Sequence, residues 1–147
     1  MKNTFLKQLW LAIRIWLLAV AVNTILGTVY LSDLKLHAVA DLMIVGTCLG
    51  ALFSFPVMVV ICIIINRSVA AGKSGMFLFW LLFISSIVLA IIAFMIFCSG
   101  FGAFGSEANI LLCIAMLSGI IGITSFYKSI VRWGSDFNTI QKVSHEN

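Results

Sequence analysis

Leu42 to Ile65 is an apolar run without one charged side chain, and Met76 to Cys98 is another. Ile15 to Leu31, extended back past Arg14 by Leu9 to Ile13, and Ile110 to Tyr127 complete a set of four. Each is near the roughly 20 residues that a helix needs to cross about 30 Å of hydrocarbon. In lipid the backbone has no water to bond, so a spanning segment is a helix or a strand of a closed barrel. None of the four runs alternates polar and apolar residues for long, as a barrel wall would. The pattern predicts an all-α integral membrane protein with four transmembrane helices in a compact bundle. The expected spans are about 10–31, 42–65, 76–98 and 108–133. They make one membrane domain over residues 1–134, followed by a short polar cytoplasmic tail at 135–147.

Composition supports this solvent. Of the 147 residues, 63% are apolar and 10% are charged, against about 25% charged in an ordinary globular domain. A soluble chain of this size could not hide so much apolar surface. The net charge of +4 does not point to nucleic acid, because the basic residues are scattered at the ends of apolar runs. In a membrane protein that placement is an orientation signal. Lys2, Lys7, Arg14, Arg67, Lys73, Lys128, Arg132 and Lys142 fall on one side, and of the nine basic residues only Lys35 falls on the other. That other side also receives Asp33, Asp41 and Glu107. The positive-inside rule then predicts both termini in the cytoplasm, with the inner membrane of a bacterium as the expected address.

The ends of the runs fit. Trp10, Trp16, Tyr30, Trp80, Tyr127 and Trp133 lie near boundaries, where amphipathic rings favour the interface. Ser106 and Glu107 suit the start of the fourth helix, and Lys128, Arg132 and Gly134 suit its end. That helix is expected to protrude from the membrane by one or two turns. A cleaved signal peptide ending near Ala19-Val20-Ala21 fits less well than an uncleaved first span. Arg14 interrupts its would-be apolar region, and the apolar run continues past Ala21.

Three short motifs suggest chemistry and do not sustain it. "AAGKSG" at 70–75 ends like a phosphate-binding loop, but the first glycine of that motif would fall at Arg67. The loop also needs a strand before it, and here an apolar span precedes it. Arg67 and Lys73 read instead as topology markers, with Gly72 and Gly75 breaking the helices. "GFGAFG" matches a dinucleotide fingerprint through Gly100, Gly102 and Gly105, yet it lacks the βαβ unit and the acidic residue that the fingerprint requires. No nucleotide and no cofactor is therefore expected. Asn66-Arg67-Ser68 is a glycosylation sequon on the expected cytoplasmic side.

Packing signals are clearer. Gly46, Gly50 and Ser54 are spaced four apart, as are Ala19, Asn23 and Gly27, and Ser118 and Gly122. Ser86, Ala90 and Ala93 offer a similar row in the third run. Small residues let helix backbones approach closely, which is how helices associate where water exclusion gives no drive. The simplest use is packing within one bundle, and a stripe left on the outside would imply oligomers. Asn23, the most central strongly polar side chain, suits interhelical hydrogen bonding. Pro56 removes a backbone hydrogen bond from the second span and is expected to kink it, as shape or as a hinge.

Ionisable groups at mid-membrane would signal transport, and the span middles have none. Arg14 lies near enough to the cytoplasmic end to snorkel. On the other side Asp33, His37 and Asp41 are spaced four apart, and Glu107 could join them as a weak divalent-metal candidate or a pH-responsive surface. The plainer reading is a solvated interfacial segment. Of the cysteines, Cys48, Cys62, Cys98 and Cys113, none forms a C-x-x-C pair, and only Cys98 and Cys113 suggest a disulfide.

Short loops leave little soluble surface for catalysis. The expectation is a non-enzymatic membrane protein that acts by helix–helix contact, as an accessory or immunity-type subunit or by self-assembly. Its partners would be the bilayer and a membrane protein or further copies of itself, with no nucleic acid. The alternatives are an oligomeric pore or membrane-disrupting effector, and a small-molecule transporter with a cavity lined by Asn23, Thr47 and Ser85 or Ser86.

Overall fold

A computed structural model describes residues 2–31, 36–101 and 106–132. Within them the chain is almost entirely helical: α1 (Lys2–Leu31), α2 (Leu36–Ala70), α3 (Gly75–Phe101) and α4 (Ser106–Ser125). All four are long and apolar enough to cross a membrane. None has a polar face. Leu52, Ile44, Leu6 and Ile96 are 60–68% exposed, and large apolar side chains are exposed on every helix. A helix that is apolar all round belongs inside a large core or in lipid.

The helices pack in a ring, α1 against α2 and α4, and α3 against α2 and α4, while the diagonal pairs barely touch. Residue pairing fixes the directions. Trp16 meets Ser54 and Thr24 meets Gly46, so α1 and α2 run antiparallel. Ile15 meets Gly122 and Asn23 meets Ser118, so α1 and α4 do too. Gly75 meets Val131 and Ser86 meets Gly119 across α3 and α4. The result is an up-down-up-down bundle with two distinct ends. One carries the N-terminus of α1 and the α2–α3 turn, and we call it the turn end. The other is the far end.

The turn at 71–74 explains itself residue by residue. Gly72 has φ 61°, a left-handed conformation that costs a residue with a Cβ about 1–2 kcal/mol. Its N–H donates to the Val69 carbonyl at 3.0 Å, and the Lys73 N–H donates to the Ser68 carbonyl at 3.1 Å. These two bonds form a Schellman cap and satisfy carbonyls that the end of α2 would leave bare. Ser74 then caps α3, its hydroxyl accepting from the Phe77 N–H at 3.3 Å. Gly75 does not break a helix, contrary to the sequence expectation. It is the first residue of α3, and it is small because the chain after α4 passes against it. A Cβ built there would lie 2.2 Å from the Val131 carbonyl oxygen.

The fourth helix also departs from the expected continuous span to 133. It stops at Ser125, Phe126 forms a turn, and helix resumes over 127–132. The hydroxyls of Thr124 and Ser125 donate to the carbonyls of Ile120 and Ile121, each at 2.7 Å. Such back-bonding by adjacent hydroxyl residues competes with the helical ladder and bends it. The Phe126 N–H accordingly reaches the nearer carbonyl of Ile123, at 3.1 Å. Trp133, Gly134 and the expected tail lie outside the described residues. The other three helices run about one to two turns past their expected starts or ends.

The apolar core sits in the half of the bundle nearer the turn end. It joins Leu11, Ala12 and Ile15 of α1, Ile61, Cys62, Ile65 and Val69 of α2, Leu78 and Leu82 of α3, and Ile123 and Ile130. Ile130 belongs to the segment beyond the Phe126 turn, which runs on along α3 in the same antiparallel register and so reaches the core.

The close approach at Gly75 has a measurable consequence. Gly75→Ala forces α3 away from Val131 and should destabilise the protein by about 1–3 kcal/mol. Gly27→Ala places a methyl where nothing lies within 4 Å, and should be neutral or stabilising by up to about 1 kcal/mol. Unfolding temperatures in mild detergent compare the two; equal responses would refute the packing role assigned to Gly75.

Candidate functional site: a layer of small and polar residues in the bundle

Above the apolar core, all four helices contribute small or polar side chains to the bundle interior. From α2, Gly46 faces Thr24, Gly50 lies beneath the Asn23 amide, and Ser54 accepts a hydrogen bond from the Trp16 indole N–H at 2.9 Å. The stripe of small residues on α2 is thus matched, position for position, by α1. Ser54 donates in turn to the Gly50 carbonyl of its own helix.

On α4, Ser118 is 2% exposed. Its hydroxyl donates to the Ile114 carbonyl and lies 3.4 Å from Asn23 Oδ1. Gly119 faces the Ser86 side chain of α3, and the Ser86 hydroxyl donates to the Phe83 carbonyl at 2.9 Å. Gly122 makes the tightest contact of the layer. A Cβ built there would meet the Ile15 carbonyl oxygen at 3.1 Å and Ala19 Cβ at 3.2 Å. Of the row Ala19, Asn23 and Gly27, the first two face α4, while Gly27 has open space around it.

These groups are neutral at any ordinary pH and bond mainly to backbone carbonyls, which serves cohesion rather than acid–base chemistry. Among the described residues two buried polar atoms are not matched. Thr24 Oγ1 and Gln8 Oε1 are buried without a hydrogen-bond partner. Thr47, expected to share a cavity with Asn23, is exposed and bonds back to the Met43 carbonyl at 2.6 Å. Ser85 is half-buried.

Pro56 is exposed, and α2 is helical through it. The turn that precedes it is fastened to α1 through Ser54 and Trp16, so the weakened stretch of α2 has a lateral support. The Trp16 N–H works between two helices. No sequence pattern marks this, but its spacing from Ser54 in an antiparallel pair could have suggested it.

Charge is segregated along the bundle. Every lysine and arginine among the described residues lies towards the turn end, and the side chains of Lys7, Arg14, Arg67, Lys73, Lys128 and Arg132 are exposed. The Arg14 guanidinium stands 4.9 Å from the Trp10 ring centroid, one helical turn nearer that end. Asp41 is exposed towards the far end. Asp33 and Lys35 lie outside the described residues, as do the side chains of His37 and Glu107, whose backbones open α2 and α4. Among the described residues no cluster of His, Cys, Asp and Glu is placed to hold a metal ion. Cys98 is buried and Cys113 exposed, and both are free thiols.

Comparison with known proteins returns no match to a family model, to a curated protein or to a solved structure.

The layer predicts an order of sensitivity. Gly122→Ala should destabilise more than Gly46→Ala, whose new methyl meets its nearest neighbour at an ordinary 3.8 Å. Asn23→Ala and Ser118→Ala should each cost about 1 kcal/mol and couple in a double-mutant cycle, as interhelical hydrogen bonds do. Additive effects on thermal unfolding would mean that the two side chains do not interact.

Proposed function

We propose that this is a non-enzymatic, multi-pass membrane protein that works by helix–helix contact in the plane of the bilayer. It acts as an accessory or immunity-type subunit of another membrane protein, or by assembly with itself. The observation that carries this reading is the outward surface, which is apolar on all four helices from Leu6 and Trp10 to Ile96 and Ile121. A partner meets this protein through that surface; among the described residues only the turn at 71–74 lies outside the helices and the short stretch after α4, and it offers few residues to anything in solution. The polar residues of the spans favour the same reading. They are small, uncharged and turned mainly inward, which builds a stable body rather than a reactive centre.

The orientation we propose is N-in and C-in, in a cytoplasmic membrane. The basic turn end supports it, since cytoplasmic loops carry the excess of lysine and arginine. Arg14 fits this placement too. It is one residue from Ile15, whose carbonyl faces Gly122, and its side chain runs towards the basic end, as a snorkelling arginine does.

Three measurements test the proposal. A cysteine at position 73, in a variant with the four native cysteines replaced, should react with a membrane-impermeant thiol reagent in inverted vesicles and not in intact cells. The opposite pattern overturns the orientation. Photo-crosslinkers at Leu52 and Ile96 should give discrete protein adducts in native membranes, to a membrane protein or to a second copy. Labelling of lipid alone at both positions overturns action by helix contact. Liposomes carrying the protein should remain ion-tight, and a conductance that scales with protein density would replace the reading with a pore.

A further inference from the structure

We infer that the outward face of α1 receives a transmembrane helix of a different protein, one that carries a carboxylate at the depth of Arg14. This rests on the helix-contact reading proposed above, and it narrows the partner to one kind. Lys7, Trp10, Arg14, Leu17 and Ala21 follow one another at spacings of three and four, and all five are exposed. They turn away from Ala12 and Ile15, which are buried in the core, and from Ala19, which meets Gly122 of α4. A stripe with that repeat is the seam along which two helices lie side by side at a shallow angle. Ala21, the smallest of the five, lets a neighbouring backbone come close.

The chemistry of the partner follows from Arg14. The apolar stretch of α1 begins at Leu6, and Arg14 stands about two helical turns, roughly 12 Å, inside it. Trp16, close by, bonds to Ser54, which is mid-way along the apolar stretch Val39–Ala70 of α2. The side chain covers only part of the distance to the turn end. Its guanidinium stops over the Trp10 ring, 4.9 Å from the centroid. A cation at such a depth ordinarily faces a bundle interior or pairs with an opposite charge. Arg14 faces outward, and Asp33, Asp41, Glu107, Asp136 and Glu146, the five acidic residues, all lie outside the four apolar runs. A second copy, whichever way it lies, therefore brings no carboxylate to this depth. A lipid phosphate stays at the membrane surface, where Lys7 is the nearer cation. The counter-charge that fits Arg14 is a carboxylate within a helix of another membrane protein.

The test reconstitutes the full chain in phosphatidylcholine vesicles with a leucine-rich transmembrane peptide. Association is read by energy transfer between a dye at position 73 and one on the peptide. One peptide carries a single glutamate about two turns inside the membrane, and its control carries leucine there. The wild-type protein should bind the glutamate peptide roughly tenfold more tightly, the scale of a polar contact between helices in lipid. Arg14→Leu should remove the difference, and Arg14→Lys should keep part of it. Equal binding of the two peptides, as expected of an arginine that only reaches for headgroups, overturns the inference. A preference that survives in Arg14→Leu does so too. In native membranes the protein adducts formed from Leu52 or Ile96 should contain a different protein and should fall severalfold in Arg14→Leu. Adducts indifferent to Arg14, or made only with a second copy, reject the α1 contact and leave the broader reading standing. Labelling of lipid alone at both positions rejects the two together.

Discussion

Close backbone approach is the interaction on which this bundle depends. Four helices that are apolar on every side would gain little from one another by excluding water in a hydrocarbon surrounding, because lipid is as apolar as leucine. What distinguishes a helix neighbour from a lipid neighbour is how near it can come. At Gly122 the α1 carbonyl of Ile15 occupies the space of a side chain, and at Gly75 the Val131 carbonyl does the same. Dispersion falls steeply with distance, so these contacts set the geometry that every larger side chain then fills. Leu82, Ala12 and Ile130 have no exposed surface at all, which requires that the backbones around them already be fixed.

The interior is built differently along its length, and the difference has a physical logic. Towards the turn end it is a cluster of Leu, Ile and Val with Ala12 and Cys62, joined by Ile130 from the segment beyond Phe126. Further along the axis it is Asn23, Ser54, Ser86 and Ser118 with the glycines of α2 and α4. Apolar packing alone does not define the rotation of a helix among equally apolar neighbours. Hydrogen bonds do, because they fail when a helix turns by one residue. Trp16 to Ser54 fixes α1 against α2, and Asn23 with Ser118 fixes α1 against α4. The first half supplies cohesion and the second supplies register.

Much of this was legible in the sequence, and what was not follows a rule. The four helices were visible because each run is by itself long and apolar enough to span a membrane, a property of the segment that needs no knowledge of its partners. The residues at Gly46, Gly50, Ser54, Ser118 and Gly122 were visible because small-residue spacing is also local. Their partners were not. Thr24 and Trp16 become packing residues only when α1 and α2 are laid antiparallel in one register. The stop at Phe126 was missed for another reason. Thr124 and Ser125 read as ordinary members of an apolar run, and their effect arises from hydroxyls returning to carbonyls one turn earlier. Hydropathy counts what a side chain prefers, and it is silent about which carbonyl that side chain takes.

The stretch at 70–75 shows how a motif is decided by its flanks. Glycine, lysine and serine in that order can cradle a phosphate when a strand delivers the loop and a helix receives it. Here a helix delivers it, and each residue is used up in joining two helices. Gly72 supplies the left-handed residue that ends α2, Ser74 caps α3, and Gly75 admits the Val131 backbone. Only the Lys73 side chain is left over, and geometry sends it along the outer surface to Phe77. The turn is short because both caps overlap within it, and a short turn holds α2 and α3 at the same depth. That levelling brings Arg67 and Lys73 to one end of the bundle, where the antiparallel course of α4 also puts Lys128, so the charge asymmetry among the described residues follows from capping and topology as much as from composition.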